Sequence, residues 1–162
     1  MKKYVLLNSD TVESLDGRSL KRIKALVAIG LSVSAGDLGG YVESEKHLSQ
    51  SGNAWVSGNA EVSGNAWVYG NAEVSGNARV FGDAQIENSA HWLIIGPAKS
   101  TGRFTTAYID KKLNVRVNCG CFSGTVKEFS EAIEKTHANN KTNLEQYRLF
   151  RQLISSNFGL VE

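Results

Sequence analysis

Two short segments of the chain combine residue types that bind anions. The first, GPAKSTGR at 96–103, is a polar segment with two basic and two hydroxyl side chains. Hydroxyl and ammonium groups donate hydrogen bonds to a phosphate, and a guanidinium can bind one bidentately. The G-x-x-x-x-G-K order of a Walker A loop is absent, so any phosphate site here is of another kind. The candidate ligand-binding residues of this segment are Lys99, Ser100, Thr101 and Arg103.

The second segment, CGCFSGT at 119–125, ends a predicted strand and opens a predicted helix. The first N–H groups of a helix are unpaired and lie at its positive end, where anions bind. Trp92 or Trp55 could stack on a base or ring. Each piece also has a plain structural role, because a threonine here can cap its helix and the basic residues can be solvated. The residues that complete the predicted site are Trp92, Arg116, Ser123, Gly124 and Thr125.

Histidines are the candidates for acid–base chemistry, because an imidazole titrates near neutral pH. His91 is the best placed of the three, since it is predicted to point outward above Glu73. His47 precedes the regular repeat described below, and His137 closes a predicted helix, where a cation complements the dipole. A zinc site of three histidines needs them to converge, and these spacings predict no convergence. We therefore expect no metal site.

The two cysteines, Cys119 and Cys121, are one residue apart. This spacing is a poor disulfide framework and supplies too few ligands for structural zinc. A net charge of +2 and a pI near 8.5 do not call for a nucleic-acid partner. The apolar run in MKKYVLLNSD is too short for a signal peptide, and no segment reaches membrane-spanning length. These features predict a reduced, cytoplasmic protein without a membrane partner.

A six-residue repeat occupies 52–87, reading GNAWVS GNAEVS GNAWVY GNAEVS GNARVF GDAQIE. Ala at the third position and Val or Ile at the fifth are two apart, so in a strand both point to one side. Gly-Asn suits the corner between strands, because both residues tolerate positive φ. Residues eighteen apart are predicted to stack on three faces, which carry Trp55, Glu73 and His91, then Glu43, Glu61 and Arg79, and then Ser49, Trp67 and Gln85.

The repeat resembles the hexapeptide motif of left-handed parallel β-helices, in which three hexads make one triangular coil. The resemblance implies a mainly β protein with a left-handed parallel β-helix of about three coils over 38–96. Its left hand comes from the family alone. We expect a β-rich N-terminal cap over 1–37 and a small α+β C-terminal domain over 97–162, made of a hairpin plus two helices.

Segments outside the repeat extend the resemblance over nearly the whole chain. GDLGGYVESEKHLSQSGNAWV, IGPAKSTGRFTTAY and VNCGCFSGTVKEF, together with the hexads, resemble small hexapeptide-repeat proteins of phage, prophage and bacterial genomes. Such proteins are usually labelled putative transferases or polymer-forming proteins. The resemblance implies a homotrimer, and we expect Trp55 and Trp67 at the interface between subunits. Exposed tryptophans also anchor contacts with other proteins.

Three functions follow as hypotheses. The first is a non-catalytic trimer that binds or sequesters a small phosphorylated, nucleotide-like molecule, without a cofactor, as a phage counter-defence protein in the host cytoplasm. The second is a hexapeptide-repeat acyltransferase that uses acyl-CoA, with His91 as general base, as the family resemblance implies. No long loop is inserted between the repeats to wall an acceptor pocket, which disfavours the enzyme. The third is an inhibitor that binds a host protein.

Overall fold

The computed structural model describes residues 1–99 and 101–160 and is mainly β. The chain divides into two compact units, Met1–Trp92 and Leu93–Glu162. The three-part division at 1–37, 38–96 and 97–162 stays a prediction.

The first unit is built from strands, most of them very short. The two-residue strands lie in the repeat. Each consists of the outward residue of a hexad and the Val or Ile that follows it. In chain order the strands are β1 (Tyr4–Glu13), β2 (Ser19–Ala25), β3 (Leu38–Val42), β4 (Trp55–Val56), β5 (Glu61–Val62), β6 (Trp67–Val68), β7 (Glu73–Val74), β8 (Arg79–Val80) and β9 (Gln85–Ile86). Glu45–His47 and Ser89–His91 form single 3₁₀ turns.

These strands sort into separate sheets. A five-stranded sheet has the order β1-β2-β3-β5-β8, and β4-β7 and β6-β9 are two-stranded sheets. Within the five-stranded sheet, β1 with β2 and β2 with β3 are antiparallel pairs, whereas β3 with β5 and β5 with β8 are parallel pairs. The first sheet is therefore mixed.

The predicted fold class, a left-handed parallel β-helix of about three coils with two caps, is wrong. Over 1–99 and 101–160 the chain forms several small separate sheets, which are mixed, antiparallel or two-stranded and parallel, and two α-helices, with no single parallel solenoid. Each hexad contributes a strand of only two residues. At the N-terminus β1 pairs with β2 and β2 pairs with β3, both antiparallel, and the repeat does not encode these pairs. The mainly β content of the prediction is confirmed.

The predicted stacking of residues eighteen apart is confirmed within the hexads and is wrong upstream of them, where Tyr41 rather than Glu43 pairs with Glu61. Trp55 pairs with Glu73, Glu61 with Arg79 and Trp67 with Gln85, each in a parallel register. The inward Ala and Val or Ile positions have at most 2% of their surface exposed, as the two-residue alternation predicts. That core is Ala54, Val56, Ala60, Val62, Ala66, Val68, Ala72, Val74, Ala78, Val80, Ala84 and Ile86.

The N-terminus is attached to the repeat by a buried amine. Lys3 is only 5% exposed, and its Nζ donates to the carbonyl of Ala54 at 2.7 Å. The next residue, Tyr4, is fully buried and its hydroxyl donates to the carbonyl of Leu48 at 2.6 Å. Burial lowers the pKa of the Lys3 amine to about 8 and raises the pKa of the Tyr4 hydroxyl.

The Lys3 amine makes the stability of the first unit depend on pH. Between pH 8 and 10.5 the unfolded chain binds more protons at Lys3 than the folded chain, so the free energy of unfolding should rise with pH. We expect the urea midpoint, followed by tryptophan fluorescence, to increase from pH 7.5 to 9.5 in the unmodified protein. The increase should disappear in Lys3→Met, which keeps the length of the side chain without the amine.

The matched control is Lys2→Met, because Lys2 is an exposed partner of Glu45. It should keep the full increase, and an equal loss of the increase in both variants would contradict the assignment to Lys3. Above pH 10 the raised pKa of Tyr4 acts in the opposite direction, because the folded state then retains a proton that the unfolded state loses. The comparison therefore stops at pH 9.5.

The second unit contains the four-stranded sheet β10-β11-β12-β13 and two helices. Hydrophobic residues of the sheet and of both helices form its core, which includes Val117, Phe129 and Ile154. The hairpin and the helices that the sequence predicted are present. The elements are β10 (Trp92–Ile95), which begins on the last residue of the first unit, β11 (Thr105–Ile109), β12 (Val115–Cys119), β13 (Phe122–Thr125), α1 (Val126–Thr136) and α2 (Lys141–Asn157).

Helix α1 begins where the T-V-K-E capping box predicts. Thr125 accepts from the N–H of Glu128, and the Glu128 carboxylate accepts from the N–H of Thr125. Neither helix within 1–99 and 101–160 has the length and apolar character needed to cross a bilayer.

Candidate anion-binding pocket

A cavity of about 140 Å³ lies within the second unit. Its walls come from the segment before β11, the turn between β12 and β13, helix α1 with the residue that follows it, and helix α2. The lining residues are Arg103, Cys119, Cys121, Phe122, Phe129, Ala132, Ile133, Thr136, His137 and Tyr147.

Part of the lining is apolar and belongs to the core of the unit. Phe129 and Ile133 lie four apart on α1 and so share one face of the helix; both are buried. The ring of Phe122 packs against Phe129 with 5.5 Å between centroids. Tyr147 of α2 meets Phe129 edge to face at 6.4 Å. The apolar wall is therefore held by side chains from three elements.

The polar part of the lining includes the Arg103 guanidinium. The Arg103 side chain passes over Gly120, since a Cβ added at Gly120 would lie 3.1 Å from Arg103 Cδ. Gly120 also has a positive φ of 58°, so the tight turn and the close approach both favour glycine. In the part of the chain that the structure describes, no carboxylate forms an ion pair with Arg103.

The side chains of His137 and Tyr147 line the same pocket as Arg103. The imidazole of His137 stacks on Tyr147 with 4.9 Å between centroids and 8° between planes. The Tyr147 hydroxyl is hydrogen-bonded to Thr101 Oγ1 at 2.9 Å. Burial raises the pKa of Tyr147, so this hydroxyl keeps its proton at neutral pH and can donate it. The pocket thus offers donors and a permanent cation, and its lining contains no carboxylate.

The first predicted anion segment reaches this pocket in part. Arg103 lines it, and Thr101 contacts it through Tyr147. Lys99 is exposed and does not line the pocket; its backbone N–H donates to the side-chain oxygen of Gln146 at 3.2 Å. Ser100 lies outside the described residues.

The second predicted segment uses its donors inside the chain. The Glu128 carboxylate accepts from the N–H of Thr125 at 2.7 Å and from its hydroxyl at 2.9 Å. Hydrogen bonds from Thr125, assisted by the charge of Arg116, hold the pKa of Glu128 below its ordinary value. A side chain at Gly124 would meet Glu128 Oε2 at 2.9 Å, and Ser123 is exposed. At the start of α1 the anion is therefore the chain's own Glu128.

The predicted tryptophans lie in the first unit, each in a different setting. Trp92 is partly exposed and its indole N–H donates to the carbonyl of Glu73 at 2.8 Å. Trp67 is 40% exposed and stacks on Tyr69 with 4.1 Å between ring centroids. The expectation that Trp55 is exposed is wrong, because it is 3% exposed beneath the edge of the Tyr4 ring. A role of these residues between subunits stays a prediction.

His91, the alternative general base, has both ring nitrogens next to polar groups of its own turn. Nδ1 lies 3.4 Å from the N–H of Glu87, and Nε2 lies 3.1 Å from the side-chain nitrogen of Asn88. A neutral imidazole has only one acceptor nitrogen, so one of these contacts uses it. General-base catalysis by His91 stays a prediction.

Among the described residues, Arg103 is the one predicted site residue that lines the pocket. The other lining residues, which include His137 and Tyr147, were not predicted as site residues. The available signal was spacing, because Phe129, Ile133 and His137 follow one another at intervals of four and so share the face of α1. The contribution of α2 had no such signal.

The chain matches no protein-family model, no curated protein and no solved structure. Across 1–99 and 101–160, no group of three His, Cys, Asp or Glu side chains is placed to hold a metal ion. The geometry of the pocket is therefore the basis for assigning a function.

Proposed function

We propose that this protein is a non-catalytic binding protein that holds a small phosphorylated molecule in the pocket of the second unit. The observation that carries the proposal is the Arg103 guanidinium, which stands at the pocket without a carboxylate partner in the described part of the chain. A guanidinium binds phosphate bidentately, and charge-assisted hydrogen bonds of this kind are among the strongest in proteins.

The neighbouring groups support the same ligand. The Tyr147 hydroxyl keeps its proton and can donate it in a hydrogen bond. The imidazole of His137, which stacks on the Tyr147 ring, supplies a further N–H donor. The phosphate is expected beside Arg103 and away from the last carbonyls of α1, because the C-terminal end of a helix repels anions. Sequestration of a nucleotide-like molecule by a phage-encoded trimer extends this proposal and rests on the resemblance of the sequence alone.

Removing the guanidinium tests the proposal directly. We expect Arg103→Ala to weaken binding of phenyl phosphate by about tenfold or more, the value of one lost charge-assisted hydrogen bond at about 1.5–3 kcal/mol. Binding is measured by ¹H–¹⁵N NMR titration, in which backbone signals of the pocket should move in the unmodified protein.

Lys99→Ala is the matched control, because it removes the same charge from the same segment without touching the pocket. It should leave the affinity nearly unchanged. Equal weakening in both variants would mean that only the general positive charge attracts the ligand. An absence of any shift with phenyl phosphate, methyl phosphate and 1-naphthyl phosphate in the unmodified protein would refute the proposal.

A further inference from the structure

The size of the pocket indicates what kind of group it takes. The whole pocket, with Arg103 and its other polar groups included, measures about 140 Å³, and its carbon lining includes Phe122, Phe129, Ala132 and Ile133. An apolar cavity of about 150 Å³ lined by Leu, Ile and Phe is known to bind benzene. The volume and the lining of this pocket therefore match one six-membered ring.

The aromatic rings around the cavity are arranged to receive another ring. Phe122 and Phe129 are tilted by 48°, and Phe129 and Tyr147 meet at 82°. Offset and edge-to-face contacts are the favourable geometries between aromatic rings. An aromatic ring that enters the cavity would meet these side chains in geometries of this kind, and we expect a fused bicyclic ring to fit less well.

We infer that the ligand is a phosphate ester with a single aromatic ring, which fills the apolar part of the pocket while its phosphate binds Arg103. This inference rests on the proposed function and specifies its ligand class. A pyrimidine ring belongs to the class and a purine ring does not. Arg103, which would bind the phosphate, precedes β11, and the apolar wall that would contact the ring comes mainly from α1.

A series of three probes separates the ring from the phosphate. Methyl phosphate carries no ring, phenyl phosphate carries one and 1-naphthyl phosphate carries two fused rings. We expect phenyl phosphate to bind at least tenfold more tightly than each of the other two in NMR titrations of the full chain. Equal affinities for all three would overturn the inference and leave the phosphate site standing. Tighter binding of 1-naphthyl phosphate would also overturn it, and no binding of any probe would overturn both proposals.

A variant that fills the cavity tests the location of the ring. Ala132 is partly buried on α1 and lines the pocket, so Ala132→Leu adds methyl groups where the ring is expected. This variant should bind phenyl phosphate no more tightly than methyl phosphate. Ala132→Ser, which keeps the cavity open, should retain the preference for phenyl phosphate. Retention of that preference in Ala132→Leu would place the ring elsewhere and overturn the inference.

Discussion

Replacing Gly39 by alanine is expected to lower the free energy of unfolding of the first unit by about 3 kcal/mol or more, the upper part of the range for overpacked cores. A Cβ at this position would lie 2.5 Å from the carbonyl oxygen of Val56 and 2.5 Å from Ile23 Cγ1. It would also lie 2.7 Å from Trp55 Cζ2. One of these atoms belongs to the backbone and the others to buried side chains, so no flexible group can move aside.

Tryptophan fluorescence reports mainly on this unit, because Trp55 and Trp67 lie in its repeat, whereas Trp92 is its last residue and begins β10. The urea midpoint detected by fluorescence should fall strongly in Gly39→Ala. Gly76→Ala is the control, since its added Cβ meets nothing within 4 Å and only its positive φ of 69° is unfavourable. Gly76→Ala should lower the free energy of unfolding by about 1–2 kcal/mol, the cost of a left-handed conformation for alanine. An effect of Gly39→Ala no larger than the control would contradict the steric argument.

The local order of the repeat could be predicted from its period, and the sheet arrangement could not. Alternation of inward Ala and Val predicts the buried positions, and three hexads predict the pairing of Glu61 with Arg79. The antiparallel strands that join β3 come from 4–25, where the sequence has no repeat. β1 and β2 form a local hairpin, whereas β2 pairs with β3 across a longer connection, and the hexad pattern contains neither pairing. For this reason the predicted single solenoid was wrong.

Burial of an outward residue was also beyond a local prediction. Trp55 and Trp67 occupy the same position in equivalent hexads, yet their exposed fractions are 3% and 40%. The difference arises because Tyr4 and the close backbone of Gly39 cover Trp55. Both covering residues are distant in sequence, so the hexad itself carries no signal of the cover.

The candidate site, like the fold, could be predicted from the sequence only in part. A basic residue type in a polar segment was enough to select Arg103, because its chemistry does not depend on its neighbours. The capping role of Thr125 was foreseen as an alternative, and its Glu128 partner now occupies the helix start. The apolar wall and Tyr147 could not be assigned, since they meet Arg103 only after α1 and α2 pack on the sheet.

Replacing Phe129 by alanine is expected to destabilise the second unit by about 3–5 kcal/mol, the usual cost of truncating a buried phenylalanine. Phe129 is 2% exposed and contacts both Phe122 and Tyr147, so its loss leaves a hole that adjoins the existing cavity. A single domain is commonly stable by only about 5–15 kcal/mol, so this loss is a large fraction of the total.

The helical circular dichroism signal reports on the second unit, because α1 and α2, the α-helices of the described residues, both lie in it. The denaturation midpoint at 222 nm should fall strongly in Phe129→Ala, while the midpoint from tryptophan fluorescence should change little. Leu149→Ala is the matched control on α2, since Leu149 is 60% exposed and its truncation should cost no more than about 0.5 kcal/mol. A loss in Phe129→Ala as small as in Leu149→Ala would mean that the Phe129 ring is not packed in this core. The apolar wall of the pocket would then lack the support on which recognition of a ring depends.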